Sequence, residues 1–179
     1  MATTLYIARH GETDWNRDRR IQGQTDIPLN DTGRRQAEEL RAGLEHVVLH
    51  AVYSSDLERA WDTATVVAEP RGLVVRRRPA LREKHFGTWE GLTDAEVSER
   101  FPDAVPGSWG DGETGEELAS RVARAIDEIV EAHDGESVLV VSHGGAIRAL
   151  YRHAGIEVGP IRNGVPATFV ADGNGLELR

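Results

Sequence analysis

Two short apolar runs, each ending on a histidine, constrain this chain more than any other feature. Thr4 to Ala8 leads into Arg9-His10-Gly11, and Ser137 to Val141 leads into Ser142-His143-Gly144-Gly145. The second run is almost uninterrupted, the pattern of a strand covered on both faces of a parallel sheet. Between the two runs, strands alternate with helices, which implies a layered α/β domain on a mainly parallel sheet. In such sheets ligands bind beyond the carboxyl ends of the strands, where both histidines fall. His10 and His143, 133 positions apart in the chain, are therefore expected side by side in space.

The remaining elements follow from periodicity and punctuation. Arg9 to Pro28 is polar and reads as a long loop, and Thr32 to Leu44 has the apolar spacing of an amphipathic helix. Val47 to Tyr53 reads as a strand, with Ser54, Ser55 and Asp56 supplying N-cap oxygens for a helix to about Ala68. Val74 to Arg77 is a further short strand closed by Pro79, and Thr93 with Glu96 forms a capping box. Thr114 with Glu117 forms another, opening a helix in which Leu118, Val122, Ile126, Ile129 and Val130 keep helical spacing to His133, before Asp134-Gly135. The strand Ser137 to Val141 precedes a helix to about Ala154. Thr168 to Ala171 and Leu176 to Leu178 are expected as a terminal hairpin across Asp172 to Gly175. There is no internal repeat, and 179 residues suit one domain over 1–179.

Composition removes several kinds of chemistry. With no cysteine there is no disulfide, no thiolate metal site and no cysteine nucleophile. The formal net charge of −9, from 30 acidic and 21 basic residues, makes nucleic acid and anionic membrane poor partners. An anionic substrate would have to be held by a few local arginines, imidazoles and backbone N–H groups rather than drawn in by the field of the whole protein. No apolar run approaches the ~20 residues needed to span a bilayer, and Met1 to Ile7 lacks the features of a secretory signal, so a cytoplasmic protein is expected. A homo-oligomer is compatible with the sequence but not indicated by it.

Arg9-His10-Gly11-Glu12-Thr13 followed by Asn16 resembles the signature of the histidine phosphatase superfamily, which includes the phosphoglycerate mutases. Further segments agree in order: Gln22-Gly23 with Asp26 to Leu29, Gly33, Gln36 and Ala37; Ser54 to Leu57 with Arg59-Ala60 and Thr63-Ala64; Leu81-Arg82-Glu83 with Phe86-Gly87 and Trp89-Glu90-Gly91; and Ser142 to Gly145. Gly112-Glu113-Thr114 departs slightly, a serine being commoner at Thr114. The resemblance implies a three-layer α/β/α sandwich with a mixed, mostly parallel sheet. It implies His10 as the nucleophile, Arg9, Arg59 and His143 around the phosphoryl oxygens, and Glu83 as general acid. It also implies Asn16, Gln22 and Gly23 as phosphate or substrate contacts.

The chemistry suits these residue types. A neutral imidazole can attack phosphorus in line, and the N–P bond it forms is labile to water. The transferring group spreads charge over three oxygens and needs several donors at once. Gly144 can bring backbone N–H to phosphate at a helix N-terminus without a side chain in the way. A carboxylic acid can protonate the departing alkoxide and then, as carboxylate, activate water. No metal and no cofactor is expected, because the familiar metal-ligand and phosphate-loop patterns are missing. The expected function is a metal-independent phosphomonoesterase acting on a small phosphorylated metabolite. The alternatives are a cofactor-dependent phosphoglycerate mutase, against which the short segment between Glu83 and His143 argues, and a non-catalytic phosphate-binding module, against which the presence of Arg9, His10 and His143 argues.

Other residues carry plainer readings. His46 and His50 are separated by Val47-Val48-Leu49, which suits a strand rather than a helical ligand pair, and His133 and His153 sit near helix C-termini. Glu90 is close enough in sequence to compete with Glu83 as the acid, and His85 either lines the pocket or bonds locally. Phe86, Trp89 and Trp109 offer an apolar wall, while Trp15 and Trp61 suit the core equally well. Arg76-Arg77-Arg78 reads as a solvated strand end. Phe101 to Gly115 is either a lid or a surface loop.

Overall fold

The computed structural model describes residues 1–104, 110–172 and 175–179. Its strands are β1 (Thr3–Arg9), β2 (Ala51–Ser54), β3 (Val75–Arg77), β4 (Ser137–Ser142), β5 (Pro166–Asp172) and β6 (Gly175–Leu178). They form one sheet in the order β3-β2-β4-β1-β5-β6. The first four in that order run parallel, and β5 and β6 join antiparallel. The helices are α1 (Asp14–Arg17), α2 (Asp31–Gly43), α3 (Glu58–Ala68), α4 (Asp94–Arg100), α5 (Gly115–Glu131) and α6 (Gly144–His153).

Period-two alternation sorts the core into two layers. Val138 and Val140 of β4, with Leu5 and Ile7 of β1, face α5 and α6. Leu139 and Val141, with Ala8, face α2 and α3. The uninterrupted apolar run of β4 therefore serves both faces, and the architecture is the expected three-layer sandwich on a mixed sheet. Both capping boxes form: Thr93 and Thr114 each accept from the backbone N–H of the glutamate three residues on, whose carboxylate accepts from the threonine's own N–H.

Some expectations need correction. The strand expected over Val47 to Tyr53 pairs only from Ala51. Val47 N–H closes a turn onto Leu44, and Val48 is 75% exposed, because the chain must first turn off α2 to reach the sheet. Ser54, Ser55 and Asp56 do not cap α3. Its N-cap is Leu57, which offers no side-chain bond, and the Glu58 N–H is taken by the Asp26 carboxylate from a distant loop. Asp56 instead accepts both arms of Arg82. The expected loop from Arg9 to Pro28 contains α1, closed by a Thr13–Asn16 capping box. Helix α5 stops at Glu131, with His133 beyond its end. The terminal hairpin pairs Phe169 with Leu178, while Gly173 and Asn174 of its turn lie outside the described residues.

Leu139 lies at the centre of the sheet with no exposed surface. Leu139→Ala is expected to destabilise the fold by about 2–5 kcal/mol, whereas Val48→Ala should change stability by under about 0.5 kcal/mol. Urea unfolding checks this: the Leu139 variant should lower the midpoint with an unchanged slope.

Candidate active site

Adjacency of β1 and β4 brings the two histidines together. Arg9 pairs with Ser142 in register, and His10 N–H donates to the Ser142 carbonyl at 3.0 Å, so both strands release a histidine at the same level. The rings of His10 and His143 lie 5.0 Å apart between centroids and are tilted by 56°. The His10 ring has one fixed partner, Nδ1 to the Gly11 carbonyl at 2.6 Å. A carbonyl can only accept, so Nδ1 carries the proton and Nε2 keeps its lone pair. The backbone is clamped too. Gly11 N–H donates to Thr63 Oγ1, whose hydroxyl donates to the Arg59 carbonyl, and Asn163 Nδ2 donates to the His10 carbonyl at 2.8 Å. A Cβ on Gly11 would lie 2.3 Å from the Gly33 carbonyl oxygen, so the histidine loop can approach α2 only as glycine on glycine.

Two arginines flank the rings, Arg59 fully buried and Arg9 half-buried. Arg59 donates from Nη1 to the Thr25 carbonyl at 2.8 Å and from Nη2 to the Gly23 carbonyl at 2.7 Å. That loop is held by Glu90, whose carboxylate accepts from the N–H groups of Gln24, Thr25 and Phe86 and from Thr25 Oγ1. Gly23, at φ 54°, lets the loop pass against the Glu90 side chain, where a Cβ would clash. Arg9 donates from Nη1 to the Ile161 carbonyl at 2.9 Å. Among the described residues, Arg9 Nε, Arg59 Nε and both ring nitrogens of His143 are buried without a protein partner. An unmet buried donor costs roughly 1–3 kcal/mol, so their concentration around one imidazole points to an acceptor bound from outside.

Electrostatics follow from this packing. Burial first, then the charges of Arg59 and Arg9, hold the His10 imidazole well below its ordinary value. His143 is lowered in the same way, by burial and then Arg59. Burial pushes the Arg59 guanidinium down to about 10, still charged at neutral pH. The site thus presents neutral imidazoles between fixed cations.

Glu83 reaches the site from the opposite side. Its Oε2 accepts from Gly145 N–H at 2.9 Å and its Oε1 from Lys84 N–H at 2.8 Å. A Cβ on Gly145 would fall 2.3 Å from Oε1, so the glycine admits the carboxylate. Arg121 fixes the segment that carries it, donating to the carbonyls of Ala80, Arg82 and Glu83 while its other edge grips Glu113.

The other expected residues are placed differently. The Asn16 side-chain oxygen is committed to the capping box with Thr13, and Gln22 Oε1 accepts from Thr13 Oγ1. Gly23 serves Arg59 through its carbonyl. Gly144 opens α6 beside Arg9, where a Cβ would meet Arg9 Nε only at ordinary contact, 3.5 Å. His85 Nε2 lies 3.9 Å from Glu90, and His50 Nδ1 accepts from Ser137 N–H. His133 bonds Glu136 and the Tyr53 hydroxyl. Trp89 packs against Phe101, and Arg77 stacks on Trp61 rather than being merely solvated. Trp109, with 105–109 of the expected lid, lies outside the described residues. Among the described residues no three His, Asp or Glu side chains lie together as a metal cluster, and no helix is long and apolar enough to cross a membrane.

Sequence reasoning did not find the roles of Thr63, Arg121 and Asn163, nor that Glu90 is a loop clamp. Thr63 and Glu90 lie within the ordered motifs, but Arg121 and Asn163 carry no local signal.

A family model for the histidine phosphatase superfamily (branch 1) matches residues 5–163. The chain belongs to this superfamily. It is 41% identical over 164 residues to a metal-independent phosphoserine phosphatase of Arabidopsis thaliana, covering 83% of this chain and 67% of the relative. It is 37% identical over 164 residues to a glucosyl-3-phosphoglycerate phosphatase of Mycobacterium tuberculosis, covering 83% and 74%. The solved structure of Bacillus stearothermophilus YhfR matches with a TM-score of 0.90 and 33% identity over 98% of this chain and 95% of that one.

The depressed imidazoles make stability depend on pH in a set direction. Below about pH 6.5 the unfolded chain takes up protons on His10 and His143 while the folded chain does not, so stability falls as pH drops through that window. Each such histidine contributes up to about 1.4 kcal/mol per pH unit. A His10→Asn/His143→Asn variant should therefore lose less stability than the parent between pH 6.5 and 5. Parallel urea-midpoint curves would contradict this.

Proposed function

We propose that this histidine phosphatase hydrolyses a small phosphorylated metabolite through a phosphohistidine on His10, with no metal or cofactor in the step. The observation that carries the reading is the set of unpartnered buried nitrogens on Arg9, Arg59 and His143 around a neutral His10 with its Nε2 lone pair free. His10 Nε2 attacks phosphorus as the ester P–O bond breaks, and Glu83 gives its proton to the departing alkoxide. The Gly11 carbonyl stays on Nδ1–H and supports the positive ring that forms. Arg9, Arg59 and His143 take the phosphoryl oxygens, whose charge is spread as the group transfers. Water then attacks the same phosphorus, Glu83 accepts its proton, and the N–P bond breaks to release inorganic phosphate.

The names of the relatives support the substrate class, since one acts on phosphoserine and another on a phosphorylated glycerate. Glu83 is preferred over Glu90 as the acid because the Glu90 oxygens are taken up by the donors of the loop they hold. Single-domain organisation over 1–179 and a cytoplasmic setting belong to the same reading, as does the absence of nucleic-acid and membrane partners.

Labelled substrate quenched in alkali should leave phosphate on the parent protein and none on His10→Ala, and activity should survive EDTA. Label persisting in the variant would move the nucleophile elsewhere. A further test concerns the acid. A sugar alkoxide must be protonated as it leaves, whereas p-nitrophenolate departs unaided. Glu83→Gln should therefore slow the pre-steady-state burst with a sugar phosphate by about 10²–10⁴-fold and far less with p-nitrophenyl phosphate. Equal slowing of both bursts would reduce Glu83 to a binding or structural role.

A further inference from the structure

Arg148 and Arg152 stand one turn apart on the exposed face of α6, and neither forms a hydrogen bond or ion pair among the described residues. Three other helix arginines find a carboxylate one turn back, Arg17 with Asp14, Arg34 with Asp31 and Arg41 with Glu38, whereas Arg35 bonds the Thr32 hydroxyl. Around Arg148 the positions one turn away hold Gly144, Gly145, Tyr151 and Arg152, and around Arg152 they hold Arg148, Ala149, Gly155 and Ile156. Like charges four apart on a helix repel by a few tenths of a kcal/mol. Arg152 recovers some of this from the helix C-terminus, but Arg148, in mid-helix, does not.

Their position gives the pair a use. Arg148, Arg152, Glu157, Val158 and Gly159 line a cavity of about 480 Å³. The chain that forms its far wall continues to Ile161, which accepts from Arg9, and to Asn163, which holds the His10 carbonyl. A Cβ on Gly144 would lie 3.5 Å from Arg9 Nε and 3.8 Å from Arg148 Nη1, so the two guanidinium groups converge over this bare stretch of backbone. Burial lowers Arg9 and Lys84 first, Glu83 on Arg9 and Glu113 with Glu83 on Lys84 oppose this, and Arg148 and Arg152 respectively add smaller lowering effects. Among the described residues Glu157 is the one acid lining this cavity, against two arginines.

We propose that Arg148, backed by Arg152, is a second anion subsite, and that the substrate is a phosphomonoester whose leaving group carries a further carboxylate or phosphate. This rests on the reading of His10, Arg9, Arg59 and His143 as the phosphoryl site. It deepens that reading by assigning the leaving-group side of the pocket to the exposed face of α6.

The test uses phosphonates, which bind without being hydrolysed, so it does not depend on turnover. Calorimetry on the intact protein would compare 4-phosphonobutyrate with butylphosphonate, which differ by the distal carboxylate. Butane-1,4-diphosphonate provides the arm for a second phosphate. At least one doubly anionic ligand should bind about ten-fold or more tighter than butylphosphonate, the scale of a charge-assisted hydrogen bond, and whichever does so identifies the preferred anion. Arg148→Gln should bring that advantage, the ratio of the two affinities in the same variant, below about three-fold. Arg124→Gln, which removes the same charge from α5, should leave the advantage intact. Equal binding of all three ligands by the parent, or equal losses in the two variants, would overturn the subsite. No binding of butylphosphonate itself would instead undo the phosphoryl site on which the subsite rests, and the subsite with it.

Discussion

Parallel pairing of β1 with β4, from Thr4 opposite Ser137 to Arg9 opposite Ser142, is the constraint on which the site depends. A slip of one residue would turn every side chain of β1 to the other face and move His10 off the level of His143. The register is protected because both faces of β4 are buried, so a slip would exchange two packed layers at once. The placement of the two histidines is thus stabilised mainly by apolar burial remote from them. The local bonds of His10, to Ser142, Gly11 and Asn163, orient a residue that the sheet has already delivered.

Burial makes the chemistry of the site and also sets its cost. Arg59 has no exposed surface, and its guanidinium can stay there because two carbonyls accept from Nη1 and Nη2, while Nε is left without a protein partner among the described residues. Those carbonyls come from an irregular loop, which has no ladder of its own to hold it. Glu90 supplies the missing order by gathering three N–H groups and a hydroxyl of neighbouring turns. The chain of support runs from Glu90 through Gly23 and Thr25 to Arg59, and from the Arg59 carbonyl through Thr63 to Gly11. In an acidic protein, positive potential beside the two histidines has to be built in this way from fixed dipoles and desolvated cations.

Legibility in the sequence followed the range of the interactions. The run of β4, the capping boxes at Thr93 and Thr114, and the histidines at strand ends are written in consecutive residues and were readable as such. Val47 to Tyr53 misled because β-branched residues suit a strand, yet only the part facing β4 pairs, and the rest turns the chain off α2. Ser54-Ser55-Asp56 looked like a cap, but the helix drew its cap from Asp26 and Asp56 was drawn to Arg82, both tertiary effects. Resemblance named the cluster of His10, His143, Arg9, Arg59 and Glu83, and the structure brings these side chains together. It could not say that Asn16 and Gln22 are tied to Thr13, since that depends on how the loop closes.

Arg121 shows why a site can depend on a residue that no motif marks. It stands in α5, 38 positions from Glu83, and donates to three carbonyls of the strand-free segment Ala80 to Glu83. Beyond the single 3₁₀ turn Pro79–Leu81 the segment has no sheet or helix to satisfy its acceptors, and a planar group with several fixed donors can meet them at once. Lysine would supply one point charge and leave carbonyls unmet. The same guanidinium grips Glu113, so the helix face, the segment that carries Glu83 and the turn before α5 are held by one side chain. The position of Glu83 is therefore set from α5, while its carboxylate is received by Gly145 on α6. Two helices on the same face of the sheet thus place Glu83 opposite the histidines that the strands supply.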